Sequence, residues 1–453
     1  MSTFDAAPVV AGTAYVRADR SKGFTRWTIG NADLTCSLGW LDDRILQFET
    51  IERTDNHGIV VRASREVFAL TVDNLHRLTA DATRVSGVET SRGDTWVHLR
   101  IHLASEGHGS IAFVLECRDG HPILRQWLEY AANGPVTITT CDPWLLEFAN
   151  PGAMLLKTVA GVQQQGGWHP ESGVYRSFRL EERNPIEGTV IESGLRSTWD
   201  ECPWVAVVPR DGTEGLPGGA LIAFDYGGQW QLSAHPEPGS ASFTLGFSAC
   251  VHAPSLTEGA GWTSPATWVG VFPDDLDTGS QVWVDYLRTS VIPDQPADFP
   301  WVQFNTWYSH YCDLDGEELL QQAAIAADLG VEVFYVDAGW WEGNPRRRDN
   351  FASGLGTWRE NRDKFPDGIA AFADGIRELG MHFGIWAEPE RVDLRTATTA
   401  GWKPEWLATA NGDYLGPEWP RDTQTAWLCF GHPETQAWAA HTLGDMIESF
   451  GVR

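Results

Sequence analysis

Along residues 1–290 the apolar positions recur with a period of two. Val97, Leu99, Ile101 and Leu103 alternate with His98, Arg100 and His102, the pattern of a strand that buries one face. Similar short runs at residues 111–115, 136–139, 204–208, 220–224, 243–247 and 267–272 are separated by Gly, Pro, Asn and Asp, which punctuate strands with turns. Many short strands with that punctuation predict a large antiparallel sandwich. Near residues 280–287 the spacing lengthens to that of a short helix. Pro293-Asp-Gln-Pro-Ala-Asp-Phe-Pro300 then sets three prolines within eight residues, and the domain boundary is placed there. The expected division is an N-terminal β-sandwich domain over 1–292, a Pro-rich linker over 293–300 and a second domain over 301–453.

After the linker the pattern becomes strand and helix in alternation. Trp301-Val-Gln-Phe-Asn-Thr-Trp307 reads as a first buried strand. Asp315 caps a helix, with Glu318 at capping-box spacing and Gly330 at its stop. Leu319, Leu320, Ala323, Ala324 and Ala327 give that helix its inward face. Residues 331–336 form a second strand, 368–379 a second helix and 381–386 a third strand. This order predicts parallel strands with right-handed crossovers, in an open doubly wound sheet or in part of an eightfold barrel. Pro433 opens a further helix to about residue 450, and Gly451-Val-Arg453 reads as the turn into another strand. About 150 residues follow the linker, where a complete barrel takes ~250, so the chain is expected to be truncated within a barrel.

Composition narrows the function classes. With 453 residues, 42% of them apolar, the chain can bury two cores. Its 33 basic and 61 acidic residues give a net charge of -28, a field that repels phosphate backbones and anionic lipid headgroups. Nucleic-acid and membrane partners are therefore not expected. The N-terminus lacks a basic stretch followed by an apolar one, and no run approaches the length of a spanning helix; the expectation is a soluble, cytoplasmic protein. The seven cysteines are odd in number and scattered, without a C-x-x-C pair, which fits reduced core thiols. The 23 tryptophans mildly favour a carbohydrate ligand, because some of them must line grooves or stand exposed. Arg346-Arg-Arg348 reads as a solvated loop.

The candidate chemistry sits at two strand ends. Tyr335-Val-Asp-Ala-Gly-Trp-Trp341 and His382-Phe-Gly-Ile-Trp-Ala-Glu-Pro-Glu390 each run from apolar residues into acid and tryptophan. Barrel enzymes place their chemistry at the C-terminal ends of such strands, and tryptophan beside a carboxylate suits a pyranose, which is apolar on a face and hydroxyl-rich at its edges. On spacing alone Asp337 with Glu388 or Glu390 would be the catalytic pair of a glycoside hydrolase. His310-Tyr-Cys312-Asp313 has no second ligand pair at a metal-binding spacing. No metal or cofactor is implied.

These motifs resemble those of glycoside hydrolase family 36, the microbial α-galactosidase family. The resemblance rests on Phe304-Asn-Thr-Trp307, Val336-Asp-Ala-Gly-Trp340, Leu355-Gly-Thr-Trp358 with Lys364-Phe-Pro366 and Gly368, and Phe383-Gly-Ile-Trp-Ala-Glu-Pro-Glu390, in that order and spacing. More loosely, Arg176-Ser-Phe-Arg179 through Pro203 is similar to the segment by which the family's sandwich approaches its barrel. The resemblance implies an N-terminal β-supersandwich followed by the first part of a (β/α)8 TIM barrel. It also reassigns the acids. The family nucleophile lies in a Lys-Trp-Asp motif on the next barrel strand and its acid/base lies two strands later, and neither motif occurs in this sequence. No catalytic residue is therefore expected here, and both are expected beyond Arg453. What carries over is substrate binding: Trp307, Asp337, Trp340, Trp386 and Arg421, with Asp337 accepting from sugar hydroxyls, the tryptophans walling the ring and Arg421 donating from its rigid fork.

Two positions depart from the family pattern. Ala338 stands where many members carry a second Asp, and Thr357 replaces the acid of a Leu-Gly-Asp-Trp motif. The implied function is retaining hydrolysis of terminal non-reducing α-D-galactosyl residues in α-galactoside oligosaccharides, with this chain inactive alone. The alternatives are a raffinose-synthase-like α-galactosyl transferase, an N-acetylgalactosaminidase, or a non-catalytic carbohydrate-binding fragment. A homo-oligomeric full-length protein is compatible with the sequence, which does not fix the oligomeric state.

Overall fold

The computed structural model describes residues 6–21, 24–55, 61–63, 66–149, 154–160, 175–179, 189–193, 198, 200–210, 218–237, 240–247, 254–297, 299, 301–410, 413–414 and 425–452. It divides the chain into two compact units, Met1–Pro293 and Asp294–Arg453.

The first unit is built from the alternating strands. Trp96–Ala104 buries Val97, Leu99, Ile101 and Leu103 and leaves His98, Arg100 and His102 half-exposed. Its partner Ser110–Arg118 pairs Leu99 with Leu115 and Ile101 with Phe113, so one apolar row faces inward across both strands. Among the described residues such pairs extend into one antiparallel sheet of 13 strands and another of 10. Phe113 of the smaller sheet meets Trp144 of the larger at 6.2 Å, edge to face, and Trp144 continues to Phe48 at 5.4 Å. These rings bridge two sheets whose inner faces share one core, the layering of a β-sandwich. The short helix begins earlier than its spacing predicts, at Leu276–Tyr286, because Asp275 caps it by accepting from the Thr278 amide at 3.0 Å. Trp283 and Tyr286 pack this helix beside Trp268 on the outer face of the smaller sheet.

The second unit contains a parallel sheet in the order β1 (Gln303–Asn305), β2 (Val333–Val336), β3 (His382–Ile385). Helices α1 (Gly316–Asp328) and α2 (Ile369–Glu378) lie between the strands in sequence, and α3 (Pro433–Phe450) follows them. These are the opening β/α repeats of a barrel-type sheet. Asp315 caps α1 by accepting from the amides of Glu317 and Glu318 at 3.0 and 3.1 Å. Glu318 turns its carboxylate to His310 Nε2 at 3.4 Å, so only half of the capping-box geometry forms. β1 is shorter than the apolar run predicts. Asn305 Oδ1 accepts from the Trp307 amide at 2.7 Å, and this local bond turns the chain into the helical turn Trp307–His310. Beyond β3, Arg391–Asp393 pairs antiparallel with Thr425–Trp427, a long-range two-stranded pairing that the apolar spacing does not signal. Among the described residues no helix is long and apolar enough to cross a membrane, which says nothing of strands.

Candidate sugar-binding site

Asp337 follows the last residue of β2, where the strand's pairing ends and its side chain is half-buried. Its carboxylate is fixed from two sides. Oδ2 accepts from Asn305 Nδ2 at 2.8 Å, and Oδ1 accepts from the Ala338 amide at 2.7 Å. The Asp337 amide donates to Thr306 Oγ1 at 3.0 Å, so the residue after β2 is referenced to the residue after β1. A carboxylate offers roughly four acceptor positions; two are occupied, and the others remain to take hydroxyl donors.

The aromatic residues divide into floor and rim. Trp386, half-buried at the end of β3, lies 5.6 Å from Trp341, 5.4 Å from Phe351 and 6.1 Å from Trp358. Trp307, also half-buried, lies 4.9 Å from Tyr311 and 6.0 Å from Phe351. Phe351 thus touches both tryptophans, and the Arg391 guanidinium sits 4.7 Å from its ring centre. Trp340 is a correction to the sequence reading, in which it walls the ligand. It is 0% exposed, its indole N–H donates to the Trp386 carbonyl at 2.8 Å, and its ring is enclosed by Trp341, Trp358 and Phe450. With no free face it can act on a ligand only through Trp386. Gly339, directly before Trp340, adopts φ 101°, a backbone conformation that favours glycine. Arg421 lies outside the described residues, as does most of the segment from Arg179 to Pro203.

The acids nominated on spacing do not resemble a pair awaiting substrate. Glu388 Oε2 accepts from both Arg391 Nε at 3.1 Å and Nη2 at 2.5 Å, charge-assisted bonds that order the chain after β3. Glu390 is exposed. His310 is buried, with Nδ1 2.7 Å from Ser309 Oγ and Nε2 3.2 Å from Gln322 Nε2. Among the described residues no group of three or more His, Cys, Asp or Glu could hold a metal ion.

Three participants were not singled out on sequence grounds. Asn305 orients Asp337, and its signal was its place inside the Phe-Asn-Thr-Trp motif. Phe351 stands in a stretch without strong periodicity. Lys364, in Lys-Phe-Pro, is 1% exposed, and burial pushes its ammonium down to about 8.

Residues 262–452 match the melibiase family model. In that segment the chain is similar to melibiases. Over 231 residues it is 27% identical to alpha-galactosidase AgaA of Geobacillus stearothermophilus, covering 50% of this chain and 31% of that enzyme. An Escherichia coli alpha-galactosidase is 34% identical over 139 residues, 31% of this chain and 19% of the enzyme. The fold is similar to that of the galactosidase domain of the alpha-galactosidase-sucrose kinase AgaSK, with a TM-score of 0.80 and 17% identity, covering 96% of this chain and 65% of that one. It is also similar to AgaB of Geobacillus stearothermophilus, a glycoside hydrolase family 36 alpha-galactosidase, with a TM-score of 0.76 and 17% identity, over 96% of this chain and 64% of that one. The chain thus spans less than two thirds of the length of each of these proteins.

Proposed function

We propose that this chain forms the sugar-binding part of an α-galactosidase that hydrolyses terminal non-reducing α-D-galactosyl residues in oligosaccharides with retention. The observation that carries the reading is Asp337: a carboxylate fixed at a parallel-strand end, with acceptor capacity to spare, in a family-matched segment that also holds Trp307 and Trp386. Its relatives are named alpha-galactosidases, and variants of the Geobacillus enzyme AgaA have been solved with raffinose and with stachyose. Arg421 joins Trp307, Asp337 and Trp386 in the proposed binding set. Retaining hydrolysis needs two carboxyls ~5 Å apart. This sequence contains no Lys-Trp-Asp, and the reading assigns neither catalytic acid to residues 1–453.

A second specificity stays within the test because of one residue. Ala338 is fully buried in the second unit's core, so this position offers no second carboxylate to a galactose hydroxyl, and an N-acetylated galactoside is the variant ligand to compare. Calorimetric titration of the chain with galactose, N-acetylgalactosamine and glucose tests the reading. Galactose is expected to bind more tightly than glucose, and Asp337→Ala to weaken it by about tenfold, ~1.4 kcal/mol, with an unchanged circular dichroism spectrum. Equal affinity for galactose and glucose, or an Asp337→Ala variant that binds like the parent, overturns it. Substantial release of nitrophenol from an aryl α-galactoside by residues 1–453 alone overturns the assignment of catalysis to other residues.

A further inference from the structure

We propose that Lys364 is a positioning residue of the sugar site, whose ammonium clamps the segment after β1 onto the turn after β2 so that Trp307 and Asp337 are presented as one rigid surface. The ligand in this inference rests on the galactoside reading; the clamp rests on geometry alone. Lys364 Nζ donates to the Cys312 carbonyl at 2.8 Å, to the Gly339 carbonyl at 2.6 Å and to Asn344 Oδ1 at 2.8 Å. Three N–H donors thus meet three oxygens.

Those oxygens belong to the segments that bear the site. Cys312 lies five residues after Trp307, and Gly339 two residues after Asp337. The two backbones already touch where the lysine joins them: a Cβ on Gly339 would stand 2.8 Å from both Cα and Cβ of Cys312. Asn344, itself buried, donates from Nδ2 to the carbonyls of Asn350 at 2.7 Å and Ser353 at 3.2 Å. It thereby draws in the stretch that carries Phe351, the ring between Trp307 and Trp386. The Lys364 carbonyl accepts from the Gly316 amide at 2.8 Å, which anchors the lysine's own backbone at the start of α1.

An apolar side chain of the same length would fill this space but leave the three oxygens without a donor. What the ammonium adds is direction, since three fixed bonds define where each segment stands. The donors also satisfy three oxygens that would otherwise be buried without a partner. A site that must hold a carboxylate and two indoles at set separations needs that direction, because small displacements of binding groups are expensive in affinity.

The test uses Lys364→Met, which keeps the stem and removes the donors, and Lys364→Ala, which leaves a cage of three oxygens for an added cation. In Lys364→Met, amide hydrogen exchange is expected to quicken at residues 310–316 and 337–344 while α2 and β2 keep their protection. Galactose affinity should fall about tenfold, the fold-change expected from a buried acceptor left unpaired. In Lys364→Ala, ethylammonium should restore protection and affinity to within about threefold of the parent, and propanol should not. Unchanged exchange and affinity in both variants overturn the clamp. So does a loss of protection spread over the whole second unit that ethylammonium fails to reverse, which is the behaviour of a merely structural lysine. If the parent chain binds no galactose, the functional reading fails by itself, and the exchange and rescue measurements still decide the role of Lys364.

Discussion

Trp340 and Trp307 belong to one set on sequence grounds and to two in the structure, and the difference is measurable. Trp340→Phe removes the donor to the Trp386 carbonyl and leaves space in an enclosed core. Urea denaturation should show a loss of about 1–3 kcal/mol. Trp307→Ala removes a half-buried rim ring and should lower galactose affinity more than it lowers stability. At the other end of the chain, Asp142 has its carboxyl pushed up from 3.8 to about 6, by burial first, with Arg77 pulling it down and Glu66 pushing it up. The folded state therefore holds this proton more tightly than the unfolded chain does. The unfavourable contribution is absent below about pH 4, grows as the pH rises and is complete above about pH 6. Asp142→Asn should raise stability at pH 7.5 by about 3 kcal/mol, and the gain should shrink as the pH is lowered towards 4; denaturation at several pH values checks both statements. Nothing in the local sequence around Asp142 signals that burial, because an acid within an alternating strand reads as an outward position.

Among the elements, the bounds of α1 were legible and its buried face partly so. Asp315 and Gly330 at φ 86° mark its start and stop; of the expected inward face Leu319 and Ala323 are buried and Leu320 and Ala327 partly so, whereas Ala324 is exposed and Ala326 is buried in its place. Both bounds act within a turn or two of the residue that sets them. Asp315→Ala should cost about 1 kcal/mol by urea denaturation, since it strands the Glu317 and Glu318 amides and leaves Arg346 with only its longer contact to Asp313 at 3.7 Å. β1 was read too long and too buried: Val302 and Gln303 are exposed, and the strand's end is set by a side chain competing for the backbone, here Asn305. The pairing of Arg391–Asp393 with Thr425–Trp427 was missed because two three-residue strands carry too few positions to show a period.

On the scale of the whole chain, each unit has its own apolar core, and the change from period two to alternating strand and helix falls close to the division between the units. Urea unfolding of the chain, followed by tryptophan fluorescence and by circular dichroism, is expected to proceed in two steps, with the two signals weighting the steps differently. Coincident single transitions would show that the units unfold as one. The order of elements and the strand-end position of Asp337 were already present in the residue pattern, because burial period, turn chemistry and caps are decided by neighbours a few positions apart. The site's organisation was not. Asn305 meets Asp337 across 32 residues, Trp340 meets Trp386 across 46, and Lys364 meets Gly339 across 25 and Cys312 across 52. Which tryptophan faces outward and which side chain holds the carboxylate depend on those meetings, and only chain closure in three dimensions brings them about.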